Sequence, residues 1–115
     1  MKDNSSRITR HLSRSTKAAL QLLGAEVSVM RKQKGWSEQE LATRAGVSRA
    51  SLRAVEKGEV TVQVGIAFEV AITVGLSLFG GEDVMARQWQ HETERLALLP
   101  QRVRARRAGQ VNDDF

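Results

Sequence analysis

The stretch Ser37-Glu38-Gln39-Glu40-Leu41-Ala42-Thr43-Arg44-Ala45-Gly46-Val47-Ser48-Arg49-Ala50-Ser51-Leu52-Arg53-Ala54-Val55-Glu56-Lys57-Gly58 decides the fold. Ser37 followed three residues later by Glu40 is a capping box, so a helix starts there. Leu41, Ala42 and Ala45 give that helix an apolar face at helical spacing. Gly46 ends it in a conformation that residues bearing side chains resist. Val47 plugs the corner, and Ser48 caps a second helix from Arg49 to about Lys57. The buried side of this second helix is Leu52 and Val55, and Gly58 stops it. Two short helices joined by so tight a turn allow the second to stand proud of the domain, the geometry that enters a DNA major groove.

The flanks read as more helix. Ser15 or Thr16 is the predicted cap of a first helix running to about Lys34, with Leu20, Leu23, Val27 and Met30 on one face and Gly35 closing it. Trp36 follows as a core anchor between helices. A fourth helix is predicted over about Gln63 to Val74, carrying Val64, Ala67, Phe68, Ala71 and Val74, with Gly65 as a close-packing position. Val60-Thr61-Val62 has the β-branched content of a strand but is too short to form a sheet alone. Gly80-Gly81 breaks the chain. Glu82 and Asp83 then suit a helix N-terminus and Pro100 sets the far limit, giving a fifth helix of about 82–98 with a sparse apolar stripe of Val84, Met85, Trp89, Leu96 and Leu99. Such a helix is expected to bury one stripe and expose the rest. The predicted class is all-α, organised as a flexible basic arm at 1–14, a compact domain at 15–80, an additional helix at 81–99 and a disordered basic tail at 100–115.

Charge is placed where a polyanion would meet it. The chain of 115 residues carries a net charge of +5. Residues 1–17 and 100–115 hold nine of the eighteen basic residues and three of the thirteen acids. Residues 31–57 are net +4, whereas 58–99 are net −4. The basic surface thus coincides with the paired short helices and the two termini. Two Trp, three Phe and no Tyr offer little for stacking single-stranded bases, which favours duplex over single strand. The absence of cysteine excludes a disulfide framework and thiolate metal sites. No apolar run is long enough to span a bilayer and the N-terminus lacks a signal-peptide core, so a cytoplasmic location is expected.

The paired helices resemble the Xre/Cro family of helix-turn-helix repressors, whose compact domain is lambda-repressor-like. Leu41-Ala42, Ala45-Gly46-Val47-Ser48, Leu52 and Val55-Glu56-Lys57-Gly58 fall where that family's pattern places them. The resemblance extends back to Leu23-Gly24 and Arg31 and forward to Val74-Gly75-Leu76. It implies that bases are read from the exposed N-terminal end of the second helix of the motif, here Ser48, Arg49, Ala50, Arg53 and Ala54. Arg49 can bond guanine O6 and N7 in bidentate fashion and Ala50 can touch a thymine methyl. Arg53 can read a base or clamp a phosphate. Thr43, Arg44 and Lys57 are weaker phosphate candidates, and the resemblance implies a structural ion pair between Arg31 and Glu56. One departure stands out. The family usually has a phosphate-contacting Gln where this chain has Glu38, so that contact is not carried over and Glu38 reads as helix-dipole charge.

Catalytic chemistry finds no support. His91 beside Glu92 and Glu94 lacks the spacing of a metal site, no glycine-rich loop follows a strand, and no serine has a base to activate it. No metal or cofactor is implied. The leading function is a sequence-specific, double-stranded DNA-binding repressor acting as a homodimer, with Met85 and Trp89 of the fifth helix as the candidate dimer contact. The stretch Val62-Gln63-Val64-Gly65 to Gly75-Leu76-Ser77-Leu78 also resembles HipB-type antitoxin regulators, as do Leu99-Pro100-Gln101-Arg102-Val103-Arg104 and the closing Asn112-Asp113-Asp114-Phe115. That resemblance implies autoregulation and a HipA-like kinase toxin as partner. The alternative is a protein-interaction module that mainly sequesters a protein partner, with DNA binding secondary.

Overall fold

Three serines begin the first three helices, and glycines close the second, third and fourth. The computed structural model describes residues 12–102, so most of the predicted arm (1–11) and tail (103–115) lies outside the described residues. These contain five α-helices and no strand: α1 Arg14–Gln33, α2 Glu38–Ala45, α3 Arg49–Lys57, α4 Val64–Val74 and α5 Glu82–Ala97. Ser37 and Ser48 cap α2 and α3, each Oγ accepting a hydrogen bond at 3.0 Å, from the backbone N–H of Glu40 and Ser51 respectively. Each such cap is worth about 1 kcal/mol. Gly46 and Gly58 close the same helices at φ 72°. The next residues then bond back to carbonyls of the last turn, Val47 to Ala42 and Glu59 to Ala54, both at 3.0 Å. The first helix departs from the sequence expectation. Its cap is Ser13, whose Oγ accepts from Thr16 N–H at 3.1 Å, so α1 starts at Arg14 rather than after Ser15 or Thr16. Val60-Thr61-Val62 forms a turn and bend leading to α4, because no partner strand is present among the described residues to pair with it.

The chain divides into two compact units, Met1–Leu78 and Phe79–Phe115. In the first unit, α3 packs on α1, α2 and α4, while α4 also packs on α1 and α2. The core joins Val27 of α1, Leu41, Ala42 and Ala45 of α2, Leu52 and Val55 of α3, and Ala67, Val70, Ala71 and Val74 of α4. Leu41 and Leu52 are fully buried, each contributing roughly 1.5–3 kcal/mol of apolar burial. Trp36 and Val47, expected in the core, are half-buried at its edge. Val64 is 65% exposed, while Val70, absent from the expected stripe, is fully buried. Val64 belongs to the first turn of α4 and lies off the stripe that faces the core.

The close approach of backbones occurs at Gly24 and not at Gly65. A Cβ on Gly24 would lie 2.5 Å from the carbonyl oxygens of both Val55 and Glu56, so α1 and α3 touch backbone to backbone there. A Cβ on Gly65 would meet nothing within 4 Å, which corrects its reading as a packing position.

In the second unit α5 follows Gly80-Gly81, with Glu82 and Asp83 in its first turn. None of its residues is buried, contrary to the expectation that it buries a stripe. Trp89 and Leu96 are 70% and 66% exposed. The physical reason is that the described part of this unit contains no second α-helix to cover them.

Candidate nucleic-acid interface

α3 has one buried side and one that meets solvent. Leu52 and Val55 are locked into the core, which fixes the helix rotation. Arg49, Ala50 and Arg53 consequently lie exposed on the N-terminal half of the helix, with both arginine side chains 54% exposed. Ser48 is exposed as well, but its hydroxyl serves the cap: it accepts from Ser51 N–H and donates to Ser51 Oγ, both at 3.0 Å. Ala54 is half-buried. With Ala50 and Ser51 it forms one wall of a shallow groove whose other wall includes Thr61, Val62 and Gln63. The structure therefore brings Arg49, Ala50 and Arg53 to one surface. Ser48 and Ala54 border it.

A residue that sequence reading left out of this surface sits beside it. Glu38 lies in the first turn of α2, as a dipole-stabilising charge should, yet its Oε1 is also 3.4 Å from Arg53 Nε and 3.6 Å from Arg49 Nη2. Its side chain is 26% exposed, less than those of the arginines it faces. The only sequence signal for this contact is opposite charge on two helices already known to cross a tight turn.

The weaker phosphate candidates have varied surroundings. The Arg44 guanidinium lies over the Trp36 ring, 4.2 Å from its centroid, and bonds Glu40 at 3.2 Å. Lys34 Nζ is 5.4 Å from the same ring. Such cation–π contacts contribute about 0.5–1 kcal/mol at exposed sites, so Trp36 both flanks the core and holds a cation at the surface. Thr43 Oγ1 accepts from Gln39 Nε2 at 3.2 Å, and Lys57 is exposed in the last turn of α3.

Arg31 and Glu56 stand apart from this surface as a structural pair. Arg31 Nε and Nη2 donate to the two carboxylate oxygens of Glu56 at 2.7 and 3.2 Å, and Nη1 donates to the Trp36 carbonyl at 2.9 Å. Both side chains are 9% exposed. The hydrogen bond to Glu56 raises the guanidinium pKa above its ordinary value, against burial, which lowers it; the charges of Glu56 and Glu38 add to the rise. The pair thus ties α1 to α3 and to the loop before α2.

On α5, Glu92 bonds Arg95 at 2.9 Å and Gln88 at 3.2 Å, and Glu94 accepts from Gln90. Among the described residues no group of His, Asp and Glu could hold a metal ion, and no helix is long and apolar enough to cross a membrane. Comparison with known proteins gives one positive result: residues 29–80 match the helix-turn-helix family model. No curated protein and no solved structure matches the chain.

Proposed function

Residues 29–80 are a helix-turn-helix domain of the Xre and lambda Cro-like family, and from that premise we propose that the chain is a sequence-specific, duplex DNA-binding transcriptional repressor. The observation that carries the proposal is the two-sided character of α3. Its apolar side is sealed in the core while Arg49, Ala50 and Arg53 are presented together at its N-terminal end. Set into a major groove, Arg49 reads guanine O6 and N7, Ala50 packs on a thymine methyl, and Arg53 reads a second base or clamps a phosphate. Ser48 and Ala54 border the base edges, and Thr43, Arg44 and Lys57 supply backbone contacts. A footprint of the purified chain on the DNA upstream of its own reading frame tests this. Protection of a defined duplex segment supports it, and sequence-independent coating contradicts it.

The repressor acts as a homodimer in this reading. One α3 helix reads few base pairs, and two placed about 34–36 Å apart reach successive major grooves on one side of the duplex. The exposed surface around Val84, Met85 and Trp89 on α5 supports assignment of the dimer contact to that helix, since Trp89 is 70% exposed. Analytical ultracentrifugation at micromolar concentration should give a dimer for the parent chain and a shift toward monomer for Trp89→Ala. Clean monomer behaviour of the parent removes this part of the proposal.

A further role as a HipB-like antitoxin rests on the sequence from Val62 to Leu78, on Leu99-Pro100-Gln101-Arg102-Val103-Arg104 and on the closing Asn112-Asp113-Asp114-Phe115. It entails autoregulation and a kinase-like toxin partner. Co-purification of a larger protein encoded beside this reading frame supports that role, and dissociation of the two at micromolar concentration opposes it.

A further inference from the structure

We propose that Glu38 is a specificity-determining residue of the α3 surface: its carboxylate competes with DNA phosphates for Arg49 and Arg53 and so penalises binding to unmatched duplex more than binding to the target site. The inference rests on the DNA-binding reading above and adds to it a residue that takes part without reading a base.

The geometry is specific. One carboxylate oxygen, Oε1, lies 3.4 Å from Arg53 Nε and 3.6 Å from Arg49 Nη2. The two arginines are four residues apart on α3, hence neighbours on one face, so a single group can serve both. Glu38 is carried by the first turn of α2, a rigid element whose dipole stabilises negative charge at that end. Being less exposed than its partners, it is also less screened by salt than a free surface carboxylate.

The consequence follows from what each DNA group carries. A phosphate is an anion, and one that approaches either guanidinium meets the Glu38 charge at the same time. A base edge is neutral. Guanine O6 and N7 carry only partial negative charge, so a nearby carboxylate repels them less than it repels a phosphate. Arg53 meets Glu38 through Nε, which leaves Nη1 and Nη2 for a base edge. Arg49 meets it through Nη2 only at 3.6 Å, beyond hydrogen-bond distance, so its donors also stay available. Unmatched duplex, held through phosphates alone, therefore bears the full penalty, whereas a target site bears it only in part. Specificity gained by an unfavourable interaction with the wrong ligand is an ordinary device of selective interfaces.

The test uses the full chain and two variants. Glu38→Gln keeps the shape and removes the charge. Glu38→Ala removes the charge without supplying the amide that the family sets against a phosphate. Each protein is titrated against a duplex carrying the footprinted site and against a random-sequence duplex of equal length, at several salt concentrations. Only a loss of discrimination shared by both variants supports the role of the Glu38 charge. Glu38→Gln should bind the random duplex about tenfold more tightly and the target about threefold or less, so that discrimination falls. The salt slope on random duplex should steepen by about 0.9 for each phosphate newly engaged. Thermal melting of the variants close to the parent assigns the change to the surface and not to the fold. Equal discrimination by the parent and either variant overturns the role of Glu38 alone, and so does weaker binding of both duplexes by a variant that melts like the parent. A parent chain that does not prefer its target over random duplex overturns the DNA-reading assignment itself.

Discussion

Replacement of Glu56 by Ala is expected to lower the unfolding free energy by about 3–5 kcal/mol, the cost of leaving one member of a buried ion pair without its partner. The guanidinium of Arg31 stays at the α1–α3 contact in this variant, shielded from water, and keeps only the Trp36 carbonyl of its three hydrogen-bond acceptors. Burial then opposes its charge without the compensation Glu56 supplies. Small domains have total stabilities near the low end of about 5–15 kcal/mol, so the variant should be largely unfolded at moderate urea concentration. The pair itself need not be a net gain over apolar packing. Joint replacement, Arg31→Met with Glu56→Leu, should recover most of the loss. Urea unfolding monitored by circular dichroism checks both statements, and a Glu56→Ala chain as stable as the parent contradicts the first.

Gly24→Ala is expected to be comparably severe for a different reason. The new methyl would lie 2.5 Å from two carbonyl oxygens, those of Val55 and Glu56, and backbone atoms cannot turn aside as a side chain does. α1 and α3 must separate, with a cost at or above the ~3 kcal/mol upper end of ordinary overpacking. Because α3 carries Arg49 and Arg53, DNA affinity should fall with stability. Gly65→Ala is the contrasting variant. Its Cβ meets nothing, so it should stabilise the protein by about 0.5–1 kcal/mol through the helix preference of Ala. A thermal melt of the two variants should move in opposite directions. Melting of Gly24→Ala at the parent temperature contradicts the backbone contact.

The reversal between these two glycines shows what the sequence could and could not reveal. Helix ends are local events. Ser37 with Glu40, Gly46, Ser48 and Gly58 each announce a boundary through hydrogen bonds within a few residues, and the structure places α2 and α3 accordingly. Which glycine permits a close approach depends on a helix brought near from elsewhere in the chain, and spacing carries no information about that. The same limit explains Val64 and Val70. Both suit a helix in an apolar region, but only the packing of α4 on α1 and α2 selects the buried one. On the candidate DNA surface, exposure of Arg49, Ala50 and Arg53 was legible because Leu52 and Val55 define the opposite side of α3. The approach of Glu38 was not, because it arises only when α2 and α3 fold against each other across the turn.

If α3 reads sequence, Arg49 is its sharpest probe. Equilibrium binding of the parent and Arg49→Ala should be compared on the footprinted site and on single-base variants of it. Arg49→Ala is expected to lose about 1–3 kcal/mol on the target site and to become indifferent to one base pair in each half-site, while other positions keep their rank. An Arg49→Ala chain that ranks every base variant as the parent does would contradict the assignment of α3 as the recognition helix.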